Sequence, residues 1–261
     1  MATWTAFPQL GDFRHDAASV ARDWALLHAG DAEPLPAHTA VLDAWVLFHN
    51  GQFQQAHEAG LAAGAPGVAV ANKAACVYAN YLEKKEKVRL ELLLDAARRA
   101  EQQATTEPGD WNAWYWHAYA LGRYSQGISV AMALAQGLGG RVKAALERTI
   151  YLQPQHADAH VALGAFHAEV IDKVGTLIGG MTYGARKDAG LALFQKALQL
   201  NARSPMALVE YARGLVMLEG DEKLREAQRL CAQAAALQPL DAKERLDVDL
   251  AQARTLGVSA A

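Results

Sequence analysis

The sequence predicts an all-helical repeat fold, and three observations predict it. First, three segments end alike: Thr149-Ile-Tyr-Leu-Gln-Pro154, Ala197-Leu-Gln-Leu-Asn-Ala202 and Ala234-Ala-Ala-Leu-Gln-Pro239. Each carries leucine two residues before its end (Leu152, Leu200, Leu237) and another apolar residue eight before it (Leu146, Phe194, Cys231). Those offsets fall on one helical face, and proline ends a helix because it cannot donate the next hydrogen bond. Second, Trp114-x-x-His117-Ala118-x-x-Leu121, His160-x-x-Leu163-Gly164-x-x-His167 and Leu208-x-x-Tyr211-Ala212-x-x-Leu215 share one stripe of large, large, small, large residues. The small position is a notch through which a neighbouring helix approaches closely, and a larger side chain there overpacks the contact. Third, no segment alternates β-branched and polar residues as a half-buried strand does.

The elements follow in order. Residues 16–28 form a front helix. Ala40-x-x-Asp43-Ala44-x-x-Leu47 is a weaker copy of the stripe, leading through the turn Asn50-Gly51-Gln52-Phe53 to a helix with Ala56. Ala71-x-x-Ala74-Ala75-x-x-Tyr78 leads in turn to an amphipathic helix over 88–103, closed by Pro108-Gly109-Asp110. The three strong copies follow, and residues 241–256 form a polar terminal helix, as the end of a repeat stack requires. The stops at Pro108, Pro154, Ala202 and Pro239 lie 46, 48 and 37 residues apart. The excess over a compact helix pair sits in two apolar, glycine-bearing inserts, 124–141 and 171–186. The expected organisation is one domain over 1–261: a cap region at 1–36, repeats with their inserts at 37–239, and a capping helix at 240–261.

Helix with notch, turn, helix and stop is the arrangement of the tetratricopeptide repeat, which this sequence resembles. The resemblance implies a superhelix of about five helix pairs with flanking helices. A narrower one covers about residues 111–220. It rests on the Trp-rich helix, Leu121-Gly122-Arg-Tyr-Ser-Gln-Gly127-Ile, an apolar helix, the run Ala-Leu-Glu-Arg-Thr-Ile-Tyr-Leu-Gln-Pro154, Leu163-Gly164, a lengthened second loop and the helix Phe194–Leu200. In these the chain is similar to the regulator-of-microtubule-dynamics family. A looser resemblance is to the tetratricopeptide lipoproteins that accompany bacterial substrate-binding transporters, and the alanine-rich composition has a bacterial look.

In tetratricopeptide folds the first helix of each repeat lines the concave face. The resemblance therefore implies a partner-binding groove at Trp45 and His49, Asn72 and Asn80, Tyr115, Tyr119 and Arg123, Glu169, and Arg213. Val41, Phe48, Cys76, Val161, Ala165, Val209 and Met217 lie beside them. Donors, acceptors and aromatics in alternation suit an extended peptide or a helix. The carboxylate clamp of many such domains is not supported, because only Arg123 and Arg213 of these residues are basic. The competing role for the same positions is packing against the front or terminal helices. Trp114 falls on the packing stripe and is expected in the core, while Trp111 and Trp116 are freer to pack between repeats or to meet a partner.

Several function classes are excluded or weakened. A net charge of -3 with no basic stripe argues against nucleic acid. No apolar run reaches the ~20 residues of a membrane span, and residues 1–11 show no secretory leader. Two distant cysteines, Cys76 and Cys231, argue against a disulfide framework and fit a reducing, cytoplasmic setting. His117, His156, His160 and His167 hold packing or turn positions without a tight ligand motif, so no metal or other cofactor is expected. Glu169 and Asp172 lack an acid–base partner, the glycines at 180–184 lack phosphate-loop spacing, and no serine sits in a nucleophile motif, so no catalytic residue is named. The expected function is a protein- or peptide-binding scaffold. The alternatives are a small ligand held beneath the inserts and, more distantly, a metal-dependent enzyme.

Overall fold

The computed structural model describes residues 3–258; the outermost ends of the two expected cap regions, 1–2 and 259–261, lie outside the described residues. No strand forms among the described residues. The helices are α1 (Ala17–Arg22), α2 (Trp24–Leu27), α3 (Thr39–His49), α4 (Phe53–Ala62), α5 (Val68–Tyr81), α6 (Glu86–Thr106) and α7 (Trp111–Gln126). They continue as α8 (Val130–Ala135), α9 (Leu138–Leu152), α10 (Ala157–Tyr183), α11 (Lys187–Leu200), α12 (Pro205–Glu219), α13 (Leu224–Ala235) and α14 (Ala242–Val258). Five packed pairs account for the repeats among the described residues: α3 with α4, α5 with α6, α7 with α9, α10 with α11 and α12 with α13. First helices also pack side by side, α3 on α5, α5 on α7, and α10 on α12. The fold is therefore the all-helical repeat that the sequence predicts.

Local chemistry sets the boundaries. Asp16 and Ser19 cap α1 reciprocally, each side chain bonding the other's backbone N–H. Asp110 and Ser204 accept from Ala113 N and Ala207 N at the starts of α7 and α12. Gly51, with φ of 82°, makes the turn from α3 to α4, a backbone region that side chains with a Cβ avoid.

The chain divides into two compact units. Unit 1 takes the residues up to His28, Glu33–Gln153 and Asp241–Lys243; unit 2 takes Ala29–Ala32, Pro154–Leu240 and the residues from Glu244 onward. The core of unit 2 gathers Val161, Phe194, Leu208, Tyr211, Leu215 and Leu230. Phe194 shows why the notch must be small. Its ring stacks on Tyr211 at 5.3 Å, while a Cβ on Gly164 would lie 3.2 Å from that ring and one on Gly214 only 2.5 Å from it. Ala118, the corresponding notch in unit 1, is likewise buried.

The second insert differs from the lengthened loop the sequence suggests. The first holds α8, whose N-cap Ser129 accepts from Met132 N. The second is mostly helix: α10 runs to Tyr183 with one break, at Gly175 (φ 81°, ψ 161°). Of its glycines, only Gly175 and Gly184 take the positive φ that glycine allows; Gly179 and Gly180 are helical and so do not break the chain.

Candidate partner-binding faces

In unit 1, α5 lies among α3, α4, α6 and α7, so nearly its whole circumference is enclosed. Asn72 and Lys73 are buried with the apolar residues from Val70 to Ala79, and only Asn80, near the helix end, is half-buried. Lys73 Nζ sits 5.2 Å from the ring centroids of both Trp45 and Phe48, a cation–π geometry that offsets part of the cost of burying the charge. Cys76 is fully buried, and the apolar surroundings push its thiol up to about 12, which keeps it protonated and unreactive.

Four of the expected groove residues turn out to be interior. Trp45 and His49 are 0% exposed, Asn72 1% and Tyr115 2%. The neighbours that cover α3 come from distant parts of the chain. Trp45 meets the edges of Trp24 at 5.8 Å and His28 at 4.6 Å. His49 Nδ1 donates to Asp241 Oδ2 at 2.7 Å. Burial holds the His49 pKa below its ordinary value, with Asp241 acting in the opposite direction. Tyr115 packs against Trp116 at 4.9 Å and Tyr119 at 6.0 Å.

The remaining residues stay within reach of solvent. On α7, Tyr119 and Arg123 are half-buried, with Arg123 Cζ 5.4 Å from the Tyr119 ring centroid, so the two form one aromatic–cationic surface. In unit 2, Glu169 of α10 and Arg213 of α12 are joined at 3.0 Å, and Glu210 approaches Arg213 at 3.7 Å. Each unit thus presents a polar, partly exposed patch on its first helices: Asn80, Tyr119 and Arg123 in unit 1, and Glu169 and Arg213 in unit 2.

The core position expected for Trp114 falls instead to Trp116. Trp116 is buried, whereas Trp114 and Trp111 are half-buried, and Trp114 Nε1 donates to the Pro108 carbonyl. Helix α7 packs on α5, α6 and α9, so its buried arc is wider than a single stripe and is centred one or two residues beyond Trp114.

His117, His156, His160 and His167 serve the backbone. His117 Nδ1 donates to the Ala97 carbonyl and His160 Nδ1 to the His156 carbonyl, each at 3.0 Å. His156 Nδ1 accepts from Ala159 N at the start of α10, and His167 Nδ1 from Arg186 N. No three His, Cys, Asp or Glu side chains converge as a metal site among the described residues. The inserts expose apolar side chains: Val130, Met132 and Leu134 on α8, and Leu177, Ile178 and Met181 on the last part of α10, Met181 being 81% exposed.

Sequence reasoning missed Lys73, Arg99 and Asp241. Arg99 belongs to a second helix, α6, yet its Nε donates to Asn72 Oδ1 on α5 at 3.0 Å. The only signal in the sequence is its basic character on an otherwise alanine-lined stretch of α6.

No protein-family model matches the sequence, and no curated protein matches it. Among solved structures the chain is similar to a thermophilic TPR protein of Thermus thermophilus, with 15% identity and a TM-score of 0.58; the match covers 82% of this chain and 98% of that one. At that identity the likeness shows the fold, a tetratricopeptide-like helical repeat.

Proposed function

We propose that the chain is a non-catalytic scaffold that binds a protein or peptide on the exposed parts of its first helices. The observation that carries this is the pairing of a tetratricopeptide-like repeat with polar and aromatic patches left uncovered on those helices. Tyr119 and Arg123 in unit 1, and Arg213 in unit 2, are residue types that recur at interface hot spots, and each has a fixed neighbour, Glu169 in the case of Arg213. Buried Tyr115, its ring 6.0 Å from that of Tyr119, supports the unit 1 patch from beneath. A net charge of -3 gives no pull toward nucleic acid. Unpaired Cys76 and Cys231 suit a reducing compartment, and the cytoplasm of a bacterial cell is the setting we propose. Among the described residues no helix is long and apolar enough to cross a membrane. The likeness of 111–220 to the regulator-of-microtubule-dynamics family belongs to the same proposal and rests on the shared residues alone.

Quantitative affinity capture from the source cell tests the proposal. Tyr119→Ala or Arg123→Ala is expected to weaken the captured partner by at least ~1 kcal/mol with helix content unchanged. Arg254→Ala on α14 serves as the control. Capture that survives Tyr119→Ala, Arg123→Ala and Arg213→Ala, but is lost when the tail is shortened, overturns the assignment to the first helices.

A further inference from the structure

We infer that unit 1 carries an oxyanion seat around Arg99, which takes the carboxylate or phosphate group of a bound ligand. This rests on the scaffold reading for its biological partner and adds the chemistry by which that partner is held. Arg99 is half-buried where α5, α6 and α7 pack together. A guanidinium has five N–H donors in a planar fork. Only Nε is used, in the 3.0 Å bond to Asn72 Oδ1, and among the described residues the side chain makes no ion pair. The carboxylate whose charge bears on it, Asp95, is held by Arg98 at 3.1 Å. Burial accordingly holds the Arg99 pKa below its ordinary value, with little to oppose it.

The surroundings have the same sign. Asn72 is 1% exposed, and with Oδ1 taken by Arg99, its Nδ2 donor is left without a partner among the described residues. One turn along α5, Cys76 feels both Arg99 and Arg123 and stays neutral, so it supplies no negative charge. Tyr119 on α7 carries Arg123 over its ring and feels Lys243 from the start of α14. The carboxylate beside Lys243 in the chain, Asp241, is bound to His49 at 2.7 Å. Cations from three helices thus act on this region, Arg99 and Arg123 on Cys76 and Arg123 and Lys243 on Tyr119. Arg99, Tyr119, Arg123 and Lys243 all remain partly exposed, so a ligand can reach them. An oxyanion in a fork of this kind gains charge-assisted, two-point hydrogen bonds, stronger than those water offers.

The test is a titration of the full-length chain with sodium acetate and, separately, with inorganic phosphate. Sodium chloride at equal ionic strength is the reference, because bulk screening alone shifts surface resonances. The readout is the Arg99 side-chain Nε–H resonance together with the backbone amides of Asn72 and Tyr119. Saturable shifts are expected with at least one anion, weakened about tenfold or more in Arg99→Gln, and reduced in Arg123→Gln. Arg225→Gln, on the exposed start of α13, is expected to leave them unchanged. Saturation by acetate points to a carboxylate partner, and saturation by phosphate alone to a phosphorylated one. Shifts that track chloride, or that persist in a folded Arg99→Gln chain, overturn the seat. If the seat fails while a captured partner still depends on Tyr119, the scaffold reading stands without it. If the anions bind but capture ignores Tyr119 and Arg123, the seat stands and the scaffold reading falls.

Discussion

Gly164→Leu gives the sharpest test of how the repeats pack. A Cβ at this position lies 3.2 Å from the Gly190 carbonyl oxygen and 3.2 Å from both Cδ atoms of Phe194. Alanine needs only a few tenths of an ångström of relief there. It also removes the helix penalty of glycine, about 1 kcal/mol, so Gly164→Ala is expected to be close to neutral. Leucine adds three carbons beyond Cβ. The Phe194 ring cannot retreat, because its far side lies so close to Gly214 that a Cβ there would be 2.5 Å away, and Tyr211 stacks on it at 5.3 Å. The Gly190 oxygen is backbone and cannot rotate aside as a side-chain end could. Overpacking of a tight core contact costs about 1–3 kcal/mol, and with the propensity gain of about 1 kcal/mol subtracted the net loss is about 1 kcal/mol. With a urea slope of about 2 kcal/mol/M, the midpoint falls by about 0.5 M. All six tryptophans belong to unit 1, so the transition must be followed by circular dichroism rather than by tryptophan emission. A midpoint that is unchanged or raised would refute the packing argument, as would Gly164→Ala costing as much as Gly164→Leu.

Other outcomes follow from the same geometry. Ala118→Leu, in the notch of unit 1, is expected to cost about 1–3 kcal/mol and to move the tryptophan emission transition; an unmoved midpoint would place the notch elsewhere. Trp116→Ala should cost about 3–5 kcal/mol as a buried large-to-small change, with Trp114→Ala clearly milder in the same urea series; the reverse order would restore the stripe read from sequence. Burial depresses the pKa values of His49, His57 and His160, so their unfolded forms take up protons first, near pH 6.5. Their contribution to stability is full above that pH and is lost as pH falls toward the folded values, by up to about 1.4 kcal/mol per pH unit for each histidine. Urea midpoints that rise between pH 7.5 and 5.5 would contradict this. Elemental analysis is expected to find no stoichiometric transition metal, since His117, His156, His160 and His167 are committed to backbone groups. About one zinc per chain, lost on His160→Ala, would revive a metal-dependent role.

The repeat architecture was legible because each helix pair states its own boundaries. The stop at Pro154 and the turn at Gly51 are local facts, and so is the notch at Gly164, where any side chain would meet the Phe194 ring. What lay outside local pattern was which face of each first helix is covered. His49 is interior because Asp241 bonds it, and Trp45 because Trp24 and His28 pack over it; no periodicity within α3 carries that information. Arg99 was passed over for the related reason that its partner, Asn72, lies on another helix. The glycines of the second insert were misleading in a different way. Glycine permits a positive φ but does not require it, and Gly179 and Gly180 remain helical.

The interleaving of the two units along the chain has a consequence for the order of synthesis. Unit 1 is completed by Asp241, 192 residues after the His49 it bonds, while unit 2 includes Gly30, whose carbonyl accepts from Asp158 N. A ribosome adding about 5–20 residues per second takes about 10–40 s to cover the interval between His49 and Asp241. During that time the imidazole has no carboxylate to meet, and unit 1, mostly made first, waits for Asp241–Lys243 until nearly all of unit 2 has been made. A gene cut at Gln153 would leave each fragment lacking a short piece encoded in the other.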